Sequence, residues 1–307
     1  MATSTLTLSD SRILAWVDYT GPPSPASNPS TRPTIFYFHG FPGSRLEGAL
    51  LASSANSHSA RLIAIDRPGM GLSTFQPNRR LLDWPRDVLE LADHLQIETF
   101  YVLGTSGGAP YVLACVEAIT RKRLLGASVV SGIYPTSLGT QGMSTGNRVL
   151  LWTAASKWIG PLTGPMMDWM IGRVARDSQH PEQLKDLFVK EMNGRPERDV
   201  KCLEDEDVKE KLVEALRESF KQGGDGVGWD IRLLASEWGF ELAKLRTLGF
   251  RMCLWHGRGD TNVPVTMAEK AAGLMEGVEL RVLEEEAHLS VLVNRQDEIL
   301  EALLLKH

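Results

Sequence analysis

The segment TFYVLGTSGGAPYVLA, residues 99–114, is the stretch on which the predicted fold depends. It opens with β-branched, aromatic and aliphatic residues typical of a buried strand, is interrupted at Gly104, and continues with small and apolar residues at helical spacing. The glycines of GTSGG fit the pattern G-x-S-x-G, in which a tight strand-to-helix turn exposes the serine hydroxyl and leaves no room for Cβ atoms two residues to either side. The sequence therefore predicts a strand, a strained turn at Ser106 and a helix.

The alternation of strands and helices around this segment predicts an α/β fold. Residues 5–8 and 12–19 are predicted to form a β-hairpin, and residues 21–33, rich in Pro and Ser, a surface loop. Further strands are predicted at 34–38, 61–65, 124–133, 250–255 and 280–283, with helices between them. This order indicates a mostly parallel, doubly wound sheet with helices on both faces.

Residues 136–243 interrupt that alternation, because they contain no convincing buried strand. Helices are predicted at about 146–159, 164–176, 181–192, 205–221 and 229–237. We therefore expect a core formed by residues 1–135 and 244–307 and an inserted helical lid at 136–243. Trp152, Trp158 and Trp169 of this segment are predicted to bind substrate, with packing against the core as the alternative.

Composition restricts the function classes. The chain has 307 residues, and its 43% of hydrophobic residues is ordinary for a globular protein. Its net charge of -5 argues against a nucleic-acid or anionic-membrane partner. Its three cysteines are widely spaced in apolar surroundings and indicate buried reduced thiols. No secretory signal and no membrane span is visible, so we expect a cytoplasmic location.

Five short motifs carry a resemblance to a known family. They are HGFPG at 39–43, DRPGMGLS at 66–73, GTSGG at 104–108, HGRGD at 256–260 and EAHLS at 286–290. In this order they resemble the α/β-hydrolase fold superfamily, in the form that has a serine nucleophile and a lid. The resemblance implies an α/β-hydrolase fold over nearly the whole chain and a triad in the order Ser, Asp, His.

The chemistry of a serine nucleophile requires a base and a carboxylate. His288 lies between a predicted strand and the last helix, in a loop that can reach the carboxyl edge of the sheet, whereas His39 and His256 are interpreted as structural. Asp260 follows strand 250–255 and is the predicted acid. Asp66 and Glu284–Glu286 are its rivals.

The resemblance also implies an oxyanion hole formed by the backbone N–H groups of Phe41 and Gly107, with the Phe41 ring in the substrate pocket. Epoxide hydrolases and haloalkane dehalogenases have aspartate at the elbow, where this chain has Ser106, and epoxide hydrolases also use lid tyrosines, which 136–243 lack. We therefore expect hydrolysis of an ester, lactone or related acyl bond of a small hydrophobic substrate. C–C bond cleavage beside a ketone, and a small-molecule receptor with little turnover, are the alternatives. No metal or cofactor is predicted, and the oligomeric state is left open.

Overall fold

The computed structural model describes residues 2–20 and 32–305, and within them the strands form one sheet. The strands are β1 (Thr3–Thr7), β2 (Ile13–Asp18), β3 (Thr34–Phe38), β4 (Arg61–Ile65), β5 (Phe100–Thr105), β6 (Leu124–Val130), β7 (Arg251–Gly257) and β8 (Glu279–Leu283). Their order across the sheet is β1-β2-β4-β3-β5-β6-β7-β8; β2 pairs antiparallel with β1 and β4, and the other neighbouring pairs are parallel. The predicted α/β class with a mostly parallel sheet is confirmed. Most of the predicted loop at 21–33 lies outside the described residues.

The helices cover both faces of this sheet. They are α1 (Ala52–Ser57), α2 (Trp84–His94), α3 (Ala109–Ala118), α4 (Thr145–Ala155), α5 (Thr163–Met167), α6 (Arg173–Ala175), α7 (Glu182–Met192), α8 (Glu197–Cys202), α9 (Glu206–Ser219), α10 (Asp225–Ala235), α11 (Val265–Leu274), α12 (His288–Asn294) and α13 (Gln296–Leu304). Along β3, Phe36 and Phe38 join a core with α2, α3 and α11, whereas Ile35 and Tyr37 join a core with α1, α12 and α13. This alternation shows that the sheet is buried on both sides.

Between β6 and β7, the regular structure of residues 136–243 is entirely helical. The helix that was predicted at 164–176 is continuous over 163–175, with a π-helical turn at Asp168–Gly172 between α5 and α6. Helix α10 packs against both α4 and α5, and α9 packs against the 3-10 turn at Arg45–Leu50 that follows β3. The short helix α8 was not predicted.

The carboxyl ends of the parallel strands place the candidate residues at one edge of the sheet. Phe41 follows β3, Ser106 follows β5, Asp260 follows β7 and His288 follows β8. His288 was predicted to lie in a loop, but it is the first residue of α12, because Ala287 acts as the helix N-cap and its N–H donates to the Ser290 hydroxyl. This edge is where ligands bind in open α/β sheets.

Candidate active site

Ser106 occupies a strained turn between β5 and α3. Its φ is 51°, in the left-handed region that residues other than glycine seldom adopt. The flanking glycines permit this turn: a Cβ on Gly108 would lie 2.2 Å from the carbonyl oxygen of Phe38, and a Cβ on Gly104 would lie 2.7 Å from Val112 Cγ2. The hydroxyl is consequently held out from the turn toward the edge of the sheet.

Ser106, His288 and Asp260 are brought together by three different segments of the chain. The Ser106 Oγ lies 3.0 Å from His288 Nε2, and His288 Nδ1 lies 2.7 Å from Asp260 Oδ2. The other carboxylate oxygen, Asp260 Oδ1, accepts the backbone N–H groups of Asn262 at 2.8 Å and Val263 at 2.9 Å. With Nδ1 protonated and bound to the carboxylate, Nε2 is free to accept the serine proton.

Opposite charges decide the protonation states of this pair. Burial alone would raise the pKa of Asp260, but the charge of His288 and hydrogen bonds from His256 and His288 lower it below its ordinary value. Burial alone would lower the pKa of His288, but the charge of Asp260, its hydrogen bond and the charge of Asp199 raise it above 6.5. Asp260 is therefore ionised throughout the range in which His288 titrates.

His256 also contacts the carboxylate of Asp260. Its Nε2 lies 3.3 Å from Asp260 Oδ2 and 2.8 Å from the carbonyl oxygen of Val263, and its side chain is fully buried. His39 lies apart from the triad: its Nδ1 is 2.9 Å from the Gly40 carbonyl oxygen, and burial lowers its pKa well below the usual range. Both histidines hold loops in place, in keeping with the structural roles expected of them.

The rival acids have other partners. The buried carboxylate of Asp66 accepts the Arg45 backbone N–H at 2.7 Å, forms an ion pair with the Arg45 guanidinium and accepts the Leu72 N–H at 2.9 Å. Glu284 pairs with Arg258, and Glu286 accepts from Asn294 and Arg295. In the described part of the chain, none of these carboxylates forms a hydrogen bond with His288.

The loop after β3 faces the nucleophile elbow. A Cβ on Gly107 would lie 2.6 Å from Phe41 Cβ and 3.3 Å from the Phe41 nitrogen, so the two predicted oxyanion-hole residues are adjacent. Gly107 lies in the first turn of the helix after the elbow, where an N–H has no intrahelical partner. The N–H groups of Gly107 and of the adjacent Phe41 are therefore the candidates for stabilising an oxyanion formed at Ser106.

A buried ionic network that was not predicted supports this loop from behind. The Arg67 guanidinium donates to the carbonyl oxygens of His39 and Gly40 and, at 2.9 Å, to Asp230 in α10. Asp230 also accepts from Arg79 at 2.9 Å and from the Tyr111 hydroxyl. All four side chains of the network are buried. These contacts join residues that are far apart in the sequence, so no local sequence pattern predicts the network.

A second carboxylate holds the same loop. Glu47 accepts the backbone N–H of Gly40 at 2.7 Å and the hydroxyl of Tyr37 at 2.6 Å. Burial raises the pKa of Glu47 above its ordinary value, although these hydrogen bonds act in the opposite direction. Glu47 and the Arg67 network thus restrain the two residues that precede Phe41.

Asp199, from α8, binds the start of the helix that carries His288. Its carboxylate accepts the backbone N–H groups of His288 at 3.1 Å, Leu289 at 2.9 Å and Ser290 at 3.0 Å. Asp199 is buried, so these bonds are shielded from water. The first turn of α12, with its unpaired N–H groups, is therefore fixed by a residue of the inserted helical segment.

The tryptophans predicted to bind substrate lie at the surface. Trp152, Trp158 and Trp169 are 70%, 89% and 69% exposed. These positions do not support the prediction that they line a substrate pocket, and the alternative of packing against the core is not supported either. Leu234 of α10 lies closer to the chemistry, because its Cδ1 would be 3.4 Å from a Cβ on Gly107. Phe41 is partly buried against the apolar clusters of the core and of the inserted segment, and its place in a substrate pocket stays a prediction.

The model of the alpha/beta hydrolase family matches residues 35–302, and the chain belongs to this family. No curated protein is similar enough in sequence to give a match.

Solved structures share the fold over almost their whole length. A hydrolase from Pseudomonas aeruginosa PA01 has 18% identity and a TM-score of 0.67, with 99% of this chain and 98% of that chain covered. A thermophilic esterase from Thermogutta terrifontis has 19% identity and a TM-score of 0.65, with 98% and 96% covered. An epoxide hydrolase from metagenomes of hot environments has 18% identity and a TM-score of 0.62, with 100% and 99% covered. Family membership supports hydrolase activity, and the fold leaves the type of bond open.

Proposed function

We propose that the protein is a serine hydrolase that cleaves an ester, lactone or related acyl bond of a small hydrophobic substrate. The observation that carries this proposal is the hydrogen-bonded chain from Ser106 Oγ through the His288 ring to Asp260, in which successive atoms lie 3.0 Å and 2.7 Å apart. Ser106 as the nucleophile favours acyl transfer over epoxide opening, for which the family resemblance implies an aspartate at the elbow.

The reaction proceeds through an acyl-enzyme. His288 Nε2 takes the Ser106 proton as Oγ attacks the carbonyl carbon, and the N–H groups of Phe41 and Gly107 stabilise the oxyanion that forms. The imidazolium, stabilised by Asp260, then gives its proton to the leaving alcohol. Water, activated by His288 in the same way, attacks the acyl-enzyme and restores Ser106.

The helical segment 136–243 serves in this proposal as a lid over a core made of 1–135 and 244–307. Leu234 lies beside Gly107, and Leu150 of α4 is packed against the same apolar clusters as Phe41. These contacts support an apolar acyl pocket between lid and core.

A panel of p-nitrophenyl esters of increasing chain length tests the proposal. We expect steady multiple turnover with a preference among acyl chains and no turnover in Ser106→Ala. A stoichiometric burst of p-nitrophenol without further turnover would contradict it and favour the receptor alternative. Turnover of a β-diketone with no ester hydrolysis would instead favour C–C bond cleavage.

A further inference from the structure

The inserted helical segment carries an unusual concentration of exposed apolar side chains. Of the large apolar residues in the described ranges that are more than half exposed, most lie within 149–170, and we call this group the apolar patch: Val149, Trp152, Trp158, Leu162, Trp169 and Met170. Isolated exposed apolar residues need no explanation, but six of them between residues 149 and 170, three of them tryptophans, indicate a binding surface.

The patch consists of the outward faces of two helices and the loop between them. Val149 and Trp152 lie one turn apart on α4, where Leu151 and Ala154 are buried. Leu162, the last residue of the 3-10 turn Gly160–Leu162, precedes Trp169 by about two helical turns, and the helical run 163–175 buries Thr163, Met167 and Ala175. Both helices pack against α10, and this packing holds the helices that carry the apolar patch in place.

Basic residues outnumber acidic residues in the segment that carries the patch. Between residues 144 and 177 the chain has four basic residues and two acidic residues, Asp168, which pairs with Arg176 at 2.7 Å, and Asp177. Asp225 of α10 is also exposed and lies beside Gly164. The exposed side chains of Arg148, Lys157 and Arg173 form no ion pair within the described residues. The net charge of -5 for the whole chain predicted no anionic membrane partner, but this surface has the opposite sign.

We propose that the apolar patch docks on a lipid surface that contains anionic headgroups. Tryptophans concentrate at membrane–water interfaces, and unpaired basic residues beside an apolar helix face bind anionic lipid. A second copy of the chain would bring like charges together in a symmetric contact, which opposes self-association through this face. In the described residues, no helix is long and apolar enough to cross a bilayer. The proposal does not depend on which bond the triad cleaves.

Co-sedimentation of the full chain with phosphatidylcholine vesicles and with mixed phosphatidylcholine–phosphatidylserine vesicles tests this. We expect stronger partitioning into the mixed vesicles, weakening with salt, and a blue shift of tryptophan fluorescence. The variant Trp158→Ala/Trp169→Ala should lose about tenfold or more in partitioning at an unchanged melting temperature, because both side chains are exposed. Replacing Arg148, Lys157 and Arg173 by glutamine should lower partitioning by about fivefold for each charge removed. This loss should appear with the mixed vesicles and not with pure phosphatidylcholine.

Leu248→Ala is the matched control, because Leu248 is 71% exposed outside the apolar patch. Its partitioning should equal that of wild type. Equal loss in Leu248→Ala and the double tryptophan variant, or no partitioning of wild type into either vesicle, would overturn the proposal. So would a dimer in sedimentation velocity that the double variant dissociates in the absence of lipid, which would assign the patch to a second copy.

Discussion

Asp260 contacts two histidines, the buried His256 and the partly exposed His288. Its Oδ2 lies 2.7 Å from His288 Nδ1 and 3.3 Å from His256 Nε2. A carboxylate in this place fixes the tautomer of His288 and stabilises its protonated form during the reaction. The supporting contact from His256 came from the structure, since HGRGD in the sequence shows only that the two residues are close along the chain.

Asp260→Asn should reduce kcat by about 10⁴-fold, because the amide can present a donor to His288 and favour the wrong tautomer. Asp66→Asn is the matched control, since Asp66 pairs with Arg45 and lies outside the triad. It should keep most of kcat and lose about 1–3 kcal/mol of unfolding free energy, because it weakens a buried ion pair. Steady-state kinetics and urea unfolding measure both. An inactive Asp66→Asn enzyme together with a nearly normal kcat in Asp260→Asn would contradict the assignment of Asp260 as the acid of the triad.

The pH dependence of kcat/KM should show one acidic limb with a midpoint above 6.5. His288 acts as a base only when neutral, and its pKa is raised, so activity is lost as the pH falls through that raised value. The pKa of Asp260 is lowered, and its protonation therefore does not contribute to this limb. A midpoint below 6.5 would show that the Asp260 charge does not act on the ring.

The residues proposed for the chemistry could be named from the sequence because they stand in short local motifs. Ser106 follows from its strand–turn–helix context, and His288 and Asp260 follow from strand ends. Asp199, Asp230 and Leu234 could not be found in this way. Each acts on a partner many residues away in the chain, and only the tertiary contact gives it a role.

At the scale of elements, the contact between α8 and α12 bears directly on the position of His288. Helix α8 has six residues and begins directly after Pro196, and no helix was predicted there. Its Asp199 nevertheless accepts the N–H groups of three successive residues that begin with His288. The inserted segment therefore helps to fix the position of His288, the proposed base.

Asp199→Ala should lower kcat by about tenfold or more and move the acidic midpoint of kcat/KM to lower pH, because an anion that raises the pKa of His288 is lost. Asp199→Asn keeps an acceptor without the charge, so it should recover much of kcat but keep the shifted midpoint. Kinetics across pH make both measurements.

Asp205→Ala is the control for helix capping alone. Asp205 caps α9 through the N–H groups of Asp207 and Val208. Its loss should cost about 1 kcal/mol of stability and leave the midpoint unchanged. An unchanged midpoint and kcat in Asp199→Ala would restrict Asp199 to a purely structural role.

At the scale of the whole molecule, the Asp230 network ties the inserted segment to the sheet. Arg67 and Arg79 belong to the loops between β4 and α2, and both meet Asp230 of α10 at 2.9 Å. Since all three side chains are buried, removing the shared carboxylate leaves two cations without their partner.

Asp230→Asn should lower the free energy of unfolding by about 3–5 kcal/mol in urea titrations. It should also lower kcat, because Arg67 holds the carbonyl groups before Phe41. The exposed pair Asp207–Lys211 supplies the comparison, and Asp207→Asn should cost less than about 1 kcal/mol. Equal losses in the two variants would show that the buried network adds no stability.

Of the features of the whole molecule, the sheet could be predicted from the sequence, and the exposure of the three tryptophans could not. Apolar strands such as β3 predicted the sheet, because the central strands are buried on both faces, whereas β1 and β8 at the edges are partly exposed. The placement of Trp152, Trp158 and Trp169 was not predicted, since an apolar residue on a helix can face either the core or the solvent. Packing of α4 and α5 on α10 decides which face is buried.

The central claim is that Ser106 is the nucleophile, and covalent labelling by a fluorophosphonate with peptide mass mapping tests it most directly. The account predicts one adduct per chain on the peptide that contains Ser106, slower labelling in Asp260→Asn, and neither labelling nor ester turnover in Ser106→Ala. An adduct on a different serine, or Ser106→Ala turning over esters at a rate near that of wild type, would contradict it.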